Sequence, residues 1–412
     1  MTSHQAPPAR TPSGDTVTER GSELRLLLIL SALMSFASIS TDMYLPALPV
    51  ISRALHTTSA SIEFTFSAFL VGFSLGQLLW GPVSDRYGRR TPLAIGLTLF
   101  IAGSVGCALS DSVTQMMVGR VVQALGACVG PVLSRAMVRD LYGREHSARM
   151  LSTLILIMGI APLVGPLLGG QVLLFWSWQG IFWILAGVGV LTLLSLRLLP
   201  ETLPASRRST LPLRHTFISY VELLGDIRLM GYALSGGCFY GGVYAFIVGT
   251  PFVYIEYYHV SPQAYGWLFS LNILGMMALN FLNSRLLRRM DSEQLFHIGT
   301  WLFALSGLVL AMNAWFGWGG LPGLVIPILL YMSMNGLIVA NSVAGALSAF
   351  PHKAGAASSL LGAIHYGSGI LSAAMVGWFS DGTPWTMAWI MGLAGIASLG
   401  IAMFSRPFIR PD

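Results

Sequence analysis

Long apolar runs without charged residues alternate with short polar turns along the chain. Residues 64–84 and 92–110, for example, carry no charged side chain. About 20 apolar residues are enough to cross the hydrocarbon core of a bilayer. Because the backbone must satisfy its own hydrogen bonds in lipid, runs of this length are predicted to be helices. The pattern therefore predicts an all-α integral membrane protein.

We predict twelve membrane spans. Two uncharged runs are too long for one helix each, and an aromatic-rich turn divides each of them, at 176–179 and at 315–320. The predicted spans are 24–48, 62–84, 91–110, 114–138, two within 150–196, then 229–255, 265–287, two within 295–350, 354–380 and 384–404.

Charge fixes the predicted orientation. The chain is 54% hydrophobic and 10% charged, with a net charge of +6, whereas soluble domains are about 25% charged. With the N-terminus in the cytoplasm, all but two of the 23 basic residues, Arg53 and Arg120, fall in cytoplasmic segments or the adjoining helix ends. This asymmetry follows the positive-inside rule and supports the span count. Nucleic-acid binding is disfavoured because no soluble domain carries a basic face.

The polar segment 200–228 divides the chain into two six-helix halves, 24–199 and 229–405. We expect residues 1–23 to form a disordered cytoplasmic N-terminus and 406–412 a short cytoplasmic tail. The turn at 283–291 lies where 81–90 lies in the first half and looks like a worn copy of it. Two similar halves with a binding site between them are typical of secondary transporters.

The turn between spans 2 and 3 is the most distinctive charged segment. Asp85, at the end of span 2, can pair with Arg89 or with a basic helix end nearby, and Gly88 permits a tight turn. Such pairs would lock the cytoplasmic side and release on reorientation; the alternative is a simple positive-inside anchor. The predicted cytoplasmic gate comprises Gly81, Asp85, Arg86, Gly88, Arg89 and Arg90.

Asp42 lies within span 1, where an acid costs ~2.5–3.5 kcal/mol to insert and is a functional hypothesis by default. A carboxyl group held away from water exchanges a proton near neutral pH more readily than one in water. We predict that Asp42 pairs with Arg120 of span 4. Alternatively, Pro46 ends the helix early and Asp42 merely caps it in water. Glu63 is a weaker candidate, expected to be a solvated acid at the start of span 2.

A pocket lined by aromatic, methionine and small polar side chains is expected between the halves, because such walls accept varied apolar shapes. Ordinary interhelical packing is the alternative for each residue singly, and His365 is either a proton relay or a structural histidine. The predicted substrate-binding residues are Asp42, Tyr44, Arg120, Gln123, Met158, Phe239, Tyr240, Tyr244, Asn272 and His365.

Catalytic and cofactor chemistry has no sequence support. The chain has no G-x-x-x-x-G-K-[ST] phosphate loop and no H-E-x-x-H zinc motif. Its three cysteines have no metal-ligand spacing. We therefore expect no enzyme activity, cofactor or metal, and transport driven by an ion gradient. An integral membrane enzyme or a sensor is the rival from another class.

Three motifs resemble the major facilitator superfamily: GPVSDRYGRR from Gly81, RVVQALGA from Arg120, and GIAPLVGPLLGG from Gly159. They depart from its patterns at Val83, Arg90 and Ala124. With the end of span 1, STDMYLPALP, the chain looks like the bicyclomycin-resistance (Bcr/CflA) branch of the 12-helix drug:proton antiporters. The resemblance assigns an antiporter motif, or alternatively only close helix packing, to Pro162, Gly165, Pro166, Gly169 and Gly170.

The resemblance implies two pseudo-symmetric six-helix bundles in the bacterial inner membrane. It also implies proton-coupled multidrug efflux by alternating access, with substrates such as bicyclomycin, chloramphenicol-like drugs or sulfonamides, and it assigns Asp42 and Arg120 to proton coupling and substrate binding. The alternative is an exporter or symporter of a small metabolite such as an amino acid. The expected partners are a drug-like small molecule, protons and lipid, for a chain that acts as a monomer.

Overall fold

The computed structural model describes residues 15–142, 144–208, 213–348, 350 and 353–409. Within these ranges the chain is helical and contains no β-strand. Twelve helices are long and apolar enough to cross a membrane, as predicted. The spans are Leu24–Ala54, Ser59–Tyr87, Arg90–Ala108, Val113–Leu141, Ile157–Phe175, Trp178–Leu198, Ile227–Tyr257, Pro262–Leu286, Ser292–Phe316, Gly320–Ser348, Ala354–Phe379 and Pro384–Arg406, and are called spans 1 to 12.

Several spans are not one continuous α-helix. Span 1 is an α-helix over Asp15–Asp42, a 3-10 turn over Leu45–Ala47 and a short helix over Leu48–Ala54. The change falls at Pro46 and Pro49, because proline lacks the N–H that an α-helix needs. Span 7 continues from the helix Ile227–Pro251 into a π-helical turn over Phe252–Tyr257. Span 10 consists of the helices Gly320–Ser333 and Asn335–Ser348.

Local capping sets several helix ends. The side-chain oxygens of Thr58, Ser112 and Ser261 each accept a hydrogen bond from the backbone N–H three residues later, at the start of spans 2, 4 and 8. A side-chain acceptor at this position satisfies an N–H that has no partner inside the helix. Span 2 ends at Tyr87 and is followed by Gly88, whose φ of 88° suits glycine.

Some segments differ from the sequence-based boundaries. Residues 15–23, predicted to be disordered, extend the first helix, because adding residues to an existing helix costs little. Residues 1–14 and 410–412 lie outside the described residues, and the last helix continues to Ile409. The helix that contains span 5 begins at Arg144, and the linker between the halves contains an unpredicted helix over Leu213–Leu224.

The two halves share one packing pattern. Span 2 packs on span 4, span 3 on span 6 and span 1 on span 5. Span 8 packs in the same way on span 10, span 9 on span 12 and span 7 on span 11, so the contacts repeat with a shift of six spans. Between the halves, span 2 lies against span 11 and span 5 against span 8. A shift of six spans converts the pair of spans 2 and 11 into the pair of spans 8 and 5. The two bundles are therefore pseudo-symmetric.

An even number of spans places both chain ends and the linker on one membrane face, called here the linker face. On the opposite face the halves are in close contact. Gln263 Nε2 donates a hydrogen bond to the Gly170 carbonyl oxygen at 3.3 Å. Arg53 Nη1 lies 3.9 Å from Glu256 Oε1 across the two halves. The opposite face of the interface is therefore closed in this structure.

Candidate functional site

An aromatic cluster fills the interface between the halves at mid-depth. The Phe73 ring of span 2 lies 4.4 Å from the Tyr366 ring of span 11. Tyr240 of span 7 stacks on His365 at 4.6 Å between ring centroids, with an interplanar angle of 16°. The cluster comprises Phe66, Phe69, Phe73, Tyr240, Tyr244, His365 and Tyr366.

Arg120 adjoins this cluster and is completely buried. Its Nη1 donates hydrogen bonds to the Ser40 carbonyl oxygen at 3.1 Å and to Gln123 Oε1 at 2.7 Å. The guanidinium carbon lies 4.5 Å from the Tyr44 ring centre and 4.3 Å from that of Phe69. Nε and Nη2 have no hydrogen-bond partner among the described residues. The site therefore holds a desolvated cation with spare donors, which suits a polar or anionic acceptor.

Asp42 ends the first helix of span 1 and is 5% exposed. Its Oδ1 accepts a hydrogen bond from Thr41 Oγ1 at 3.0 Å. The carboxyl group lies within electrostatic range of Tyr244, Tyr265 and Tyr366 of the second half. The helix thus ends before Pro46, as one alternative held, but Asp42 is buried between the halves and does not cap the helix in water.

The expected ion pair between Asp42 and Arg120 is absent from the ion pairs of the described residues. The Arg120 guanidinium instead donates hydrogen bonds to the Ser40 carbonyl oxygen and to Gln123 Oε1. The prediction of a direct pair is therefore wrong for this conformation.

The glycines of span 5 form the wall beside Asp42. A Cβ atom at Gly165 would lie 2.7 Å from the Asp42 Cβ atom, and one at Gly169 would overlap the Met43 carbonyl oxygen. Gly170 faces Pro262 of span 8, where an added Cβ would lie 3.2 Å from the carbonyl oxygen. Pro162 and Pro166 lie within the continuous helix of span 5. The motif thus brings span 5 against span 1 at the level of Asp42 and against span 8 nearer the opposite face.

The remaining predicted binding residues lie in different surroundings. The Tyr44 hydroxyl group hydrogen-bonds Thr65 Oγ1 at 2.5 Å, and Gln123 Nε2 donates to Ser104 Oγ at 2.8 Å. Phe239 is completely buried and packs on Phe303 at 5.1 Å, inside the second half. Met158 is partly buried against the core.

Two predicted residues retain unpartnered polar atoms. Asn272 is 2% exposed and donates a hydrogen bond to the Leu268 carbonyl oxygen at 3.0 Å, but its Oδ1 accepts none from the described residues. His365 is 5% exposed, and its Nε2 has no partner among them. Both side chains can still bind a polar group.

Sequence reasoning missed several residues of the site. Phe66, Phe69 and Phe73 recur at helical spacing on one face of span 2, which was a usable signal. Glu63 was expected to be solvated, but it is 2% exposed because span 11 covers it, and a Cβ atom at Gly377 would lie 3.5 Å from its Oε2. That expectation is wrong, since it considered span 2 alone.

The charged turn at the linker face is organised around Arg89, whose side chain is 7% exposed. Arg89 Nη1 donates to Asp85 Oδ1 and to Ser84 Oγ, each at 2.7 Å, and Nε donates to Asp140 Oδ2 at 2.8 Å. All four residues belong to the first half. Arg86 and Arg90 are exposed, and a Cβ atom at Gly81 would lie 3.9 Å from Ser359 Oγ of span 11.

Glu201 of the linker caps the same turn, because its carboxylate accepts hydrogen bonds from the backbone N–H groups of Arg89, at 2.8 Å, and Arg90, at 3.1 Å. Partial burial opposes ionisation of Glu201. The backbone donors, which include Leu203, and the nearby Arg208 outweigh that effect and hold the pKa of the carboxyl group below its usual range. The turn and the linker thus form one ionic unit.

The comparison with known families decides the identity of the fold. The model of the Major Facilitator Superfamily matches residues 28–255. The chain belongs to the major facilitator superfamily. This result and the relatives below confirm the resemblance found in the three motifs.

The chain is 36% identical to the uncharacterized MFS-type transporter YdgK of Bacillus subtilis, over 86% of this chain and 89% of that protein. It is 29% identical to a bicyclomycin resistance protein homolog of Haemophilus influenzae, over 93% and 96%. Other relatives are named as chloramphenicol or multidrug resistance proteins. A D-xylose-proton symporter structure matches with a TM-score of 0.75 at 17% identity, over 94% of this chain and 98% of that one, and shows the fold. The relatives and the fold are those of multi-pass membrane transporters.

Proposed function

We propose that this superfamily member exports drug-like small molecules in exchange for protons. The observation that carries the proposal is Asp42, a carboxyl group that is 5% exposed, has no ion-pair partner among the described residues and lies between the two halves. A buried acid in a membrane span marks a proton or substrate pathway. The resistance relatives support the export of drugs.

The linker face is proposed to be cytoplasmic, since it carries most of the basic residues. The structure, closed at the opposite face, then represents an externally closed state. Substrate enters between the halves from the cytoplasm or the inner leaflet of the bacterial inner membrane. Rocking of one half against the other opens the external side and releases the substrate there.

Asp42 and Arg120 have different roles in this cycle. Ionised Asp42 attracts a cationic or hydrogen-bonding substrate, whereas a proton entering from outside neutralises it and favours release. Arg120 is held by the carbonyl oxygen of Ser40, two residues before Asp42, and supplies a fixed positive charge at the substrate site. Its unpartnered Nε and Nη2 atoms can bind acceptor atoms of the substrate.

The aromatic cluster defines the substrate class. Tyr240, Tyr244 and Tyr366 pack together beside Phe73 and present aromatic rings at the interface between the halves. Ring faces bind flat apolar groups and also attract organic cations. Amphipathic drugs with an aromatic ring and one polar or cationic group fit this lining.

The membrane potential supplies the driving force. One proton that moves down 100 mV releases ~2.3 kcal/mol. This free energy corresponds to about 50-fold accumulation of substrate for electrogenic exchange, because 1.4 kcal/mol is a factor of ten. No ATP is required for export of this extent.

The test uses proteoliposomes with an imposed pH gradient, a dye that reports internal pH and a panel of aromatic drugs. We expect drug addition to dissipate the gradient with the wild type and with Asp111→Asn, whose carboxyl group is exposed, but not with Asp42→Asn. A normal response in Asp42→Asn would refute the coupling role. Inward movement of drug together with protons would instead identify a symporter.

A further inference from the structure

Glu63 is a second buried acid, close to the opposite face. It lies in the second turn of span 2 and is 2% exposed. Its Oε2 has no hydrogen-bond partner among the described residues. Gly377 of span 11 lies against it, since a Cβ atom there would be 3.5 Å from Oε2 and 3.2 Å from the Ala60 carbonyl oxygen. Glu63 therefore lies in the contact between spans 2 and 11, which joins the two halves.

No charge of the described residues compensates Glu63. Arg53 pairs with Glu256 at the same face. Asp381, after the end of span 11, accepts hydrogen bonds from Thr383 and Thr386. In the described part of the chain, neither Arg53 nor Asp381 forms an ion pair or a hydrogen bond with Glu63. Its surroundings are otherwise uncharged, and include Gly377 and Phe64.

An ionised carboxylate at this position would be unstable, because burial removes its hydration and no hydrogen bond or ion pair compensates for the loss. While spans 2 and 11 are in contact, Glu63 must therefore carry a proton. When the halves separate at this face, Gly377 moves away and water reaches the carboxyl group. Glu63 then ionises, which favours the separated state.

We infer that Glu63 binds a proton whenever the external side closes and releases it whenever that side opens. The inference rests on the proposed alternating access and its orientation. In closing, the carboxylate takes one proton from external water and becomes a neutral carboxylic acid; in opening, the same proton returns to external water. Because binding and release occur at one face, Glu63 adds nothing to the number of protons transported per cycle.

Glu63 is thus a positioning residue for the transport reaction, and its role differs from that of Asp42. Asp42 carries a proton across the membrane, whereas Glu63 makes the open-to-closed ratio depend on external pH. An acidic exterior promotes closure after substrate release and hastens the return step. External protons therefore act at Asp42 to favour substrate release and at Glu63 to favour closure of the external side.

The experiment measures the external opening directly in nanodiscs without substrate. Donor and acceptor dyes are placed on cysteines at Asp111 and Trp318, two exposed positions in opposite halves, after replacement of the three native cysteines. Single-molecule energy transfer then gives the open-to-closed ratio from pH 5 to pH 9. For one linked proton, the ratio changes by up to about tenfold per pH unit.

We expect the ratio to rise with pH in the wild type, and to lose most of this pH dependence and stay low in Glu63→Gln. Glu63→Asp, which keeps a titratable group, should retain a pH dependence. The matched control is Asp381→Asn, which removes an exposed acid at the same face whose carboxylate bonds only Thr383 and Thr386 of its own half among the described residues; it should keep the wild-type slope. A wild-type slope in Glu63→Gln would overturn the inference.

The outcome is separable from that of the proposed function. The energy-transfer measurement needs neither drug nor a transported proton, so Asp42→Asn should retain the slope that Glu63 causes. Loss of drug–proton exchange with an intact slope would refute the proposed coupling and leave the role of Glu63 standing. Normal exchange together with an unchanged slope in Glu63→Gln would refute only the role of Glu63.

Discussion

Replacement of Arg89 by alanine should destabilise the first half strongly, because one buried guanidinium connects the ends of spans 2 and 4. Its Nη1 lies 2.7 Å from Asp85 Oδ1, and its Nε lies 2.8 Å from Asp140 Oδ2. The side chain of Arg89 is 7% exposed, whereas those of Asp85 and Asp140 are 56% and 18% exposed. The two pairs therefore differ in their contact with water.

The exposures set the expected magnitudes. The pair with Asp85 is largely solvated and contributes at most about 1 kcal/mol. The hydrogen bond to Asp140 is better shielded, and hydrogen bonds to charged groups contribute about 1.5–3 kcal/mol. Arg89→Ala should therefore lower the free energy of unfolding by about 3 kcal/mol. Arg89→Lys should lose roughly half of this, because an ammonium group cannot contact both acids with a planar fork.

The assay is a double-mutant cycle on the purified protein, with the free energy of unfolding measured by SDS titration in mixed micelles. Arg89→Ala is combined in turn with Asp140→Asn and with Asp85→Asn. We expect a coupling energy of about 2 kcal/mol with Asp140 and less than about 1 kcal/mol with Asp85. Arg197→Ala, an exposed arginine at the same face, should change stability by less than about 0.5 kcal/mol.

A coupling energy with Asp85 that equals or exceeds that with Asp140 would refute the reasoning from burial. The same variants also test the gating hypothesis for the turn. Asp85→Asn should slow the transport cycle and leave substrate affinity nearly unchanged, because the turn lies far along span 2 from the aromatic cluster. A large loss of drug binding in Asp85→Asn would contradict this division of roles.

Two further predictions concern the linker and the pocket. Glu201→Gln should remove about 1 kcal/mol at pH 7. The pKa of Glu201 is lowered in the folded protein, so its contribution is present above the unfolded pKa and lost as pH falls below about 4. SDS titrations should therefore show wild type and variant converging in acid, and a constant difference would contradict this account. Tyr366→Ala should weaken the binding of aromatic drugs about tenfold in equilibrium binding, by loss of ring contacts, whereas Tyr366→Phe should not.

The sequence was sufficient for the span architecture because length and hydropathy decide whether a segment crosses a bilayer. Long runs such as 354–380 differ from the structure by a residue at most. The end of span 1 was harder to predict. Pro46 and Pro49 indicated a break, but only the structure shows a 3-10 turn and a second short helix that carry the span to Ala54.

The sequence indicated which residues belong to the candidate site, but not which groups each of them contacts. Asp42 and Arg120 were recognisable as rare charges inside spans, and Asp85 and Arg89 as a pair one helical turn apart. The position of Arg120 against the Ser40 carbonyl oxygen depends on where span 1 breaks. The burial of Glu63 depends on Gly377, more than 300 residues away in sequence. No local pattern contains such contacts.

The two membrane faces use different chemistry to hold their helices together. At the linker face of this structure, Arg89 pairs with Asp85 and Asp140 within one half, so these two ion pairs do not themselves join the halves. At the opposite face, the uncompensated carboxyl group of Glu63 lies between the halves, so its energy depends on their separation. Salt screens exposed ion pairs, so it should act more on the Arg53–Glu256 pair at the opposite face than on the buried Arg89. Protons act on Glu63 at the same face, so its opening should depend on external pH as well as on ionic strength.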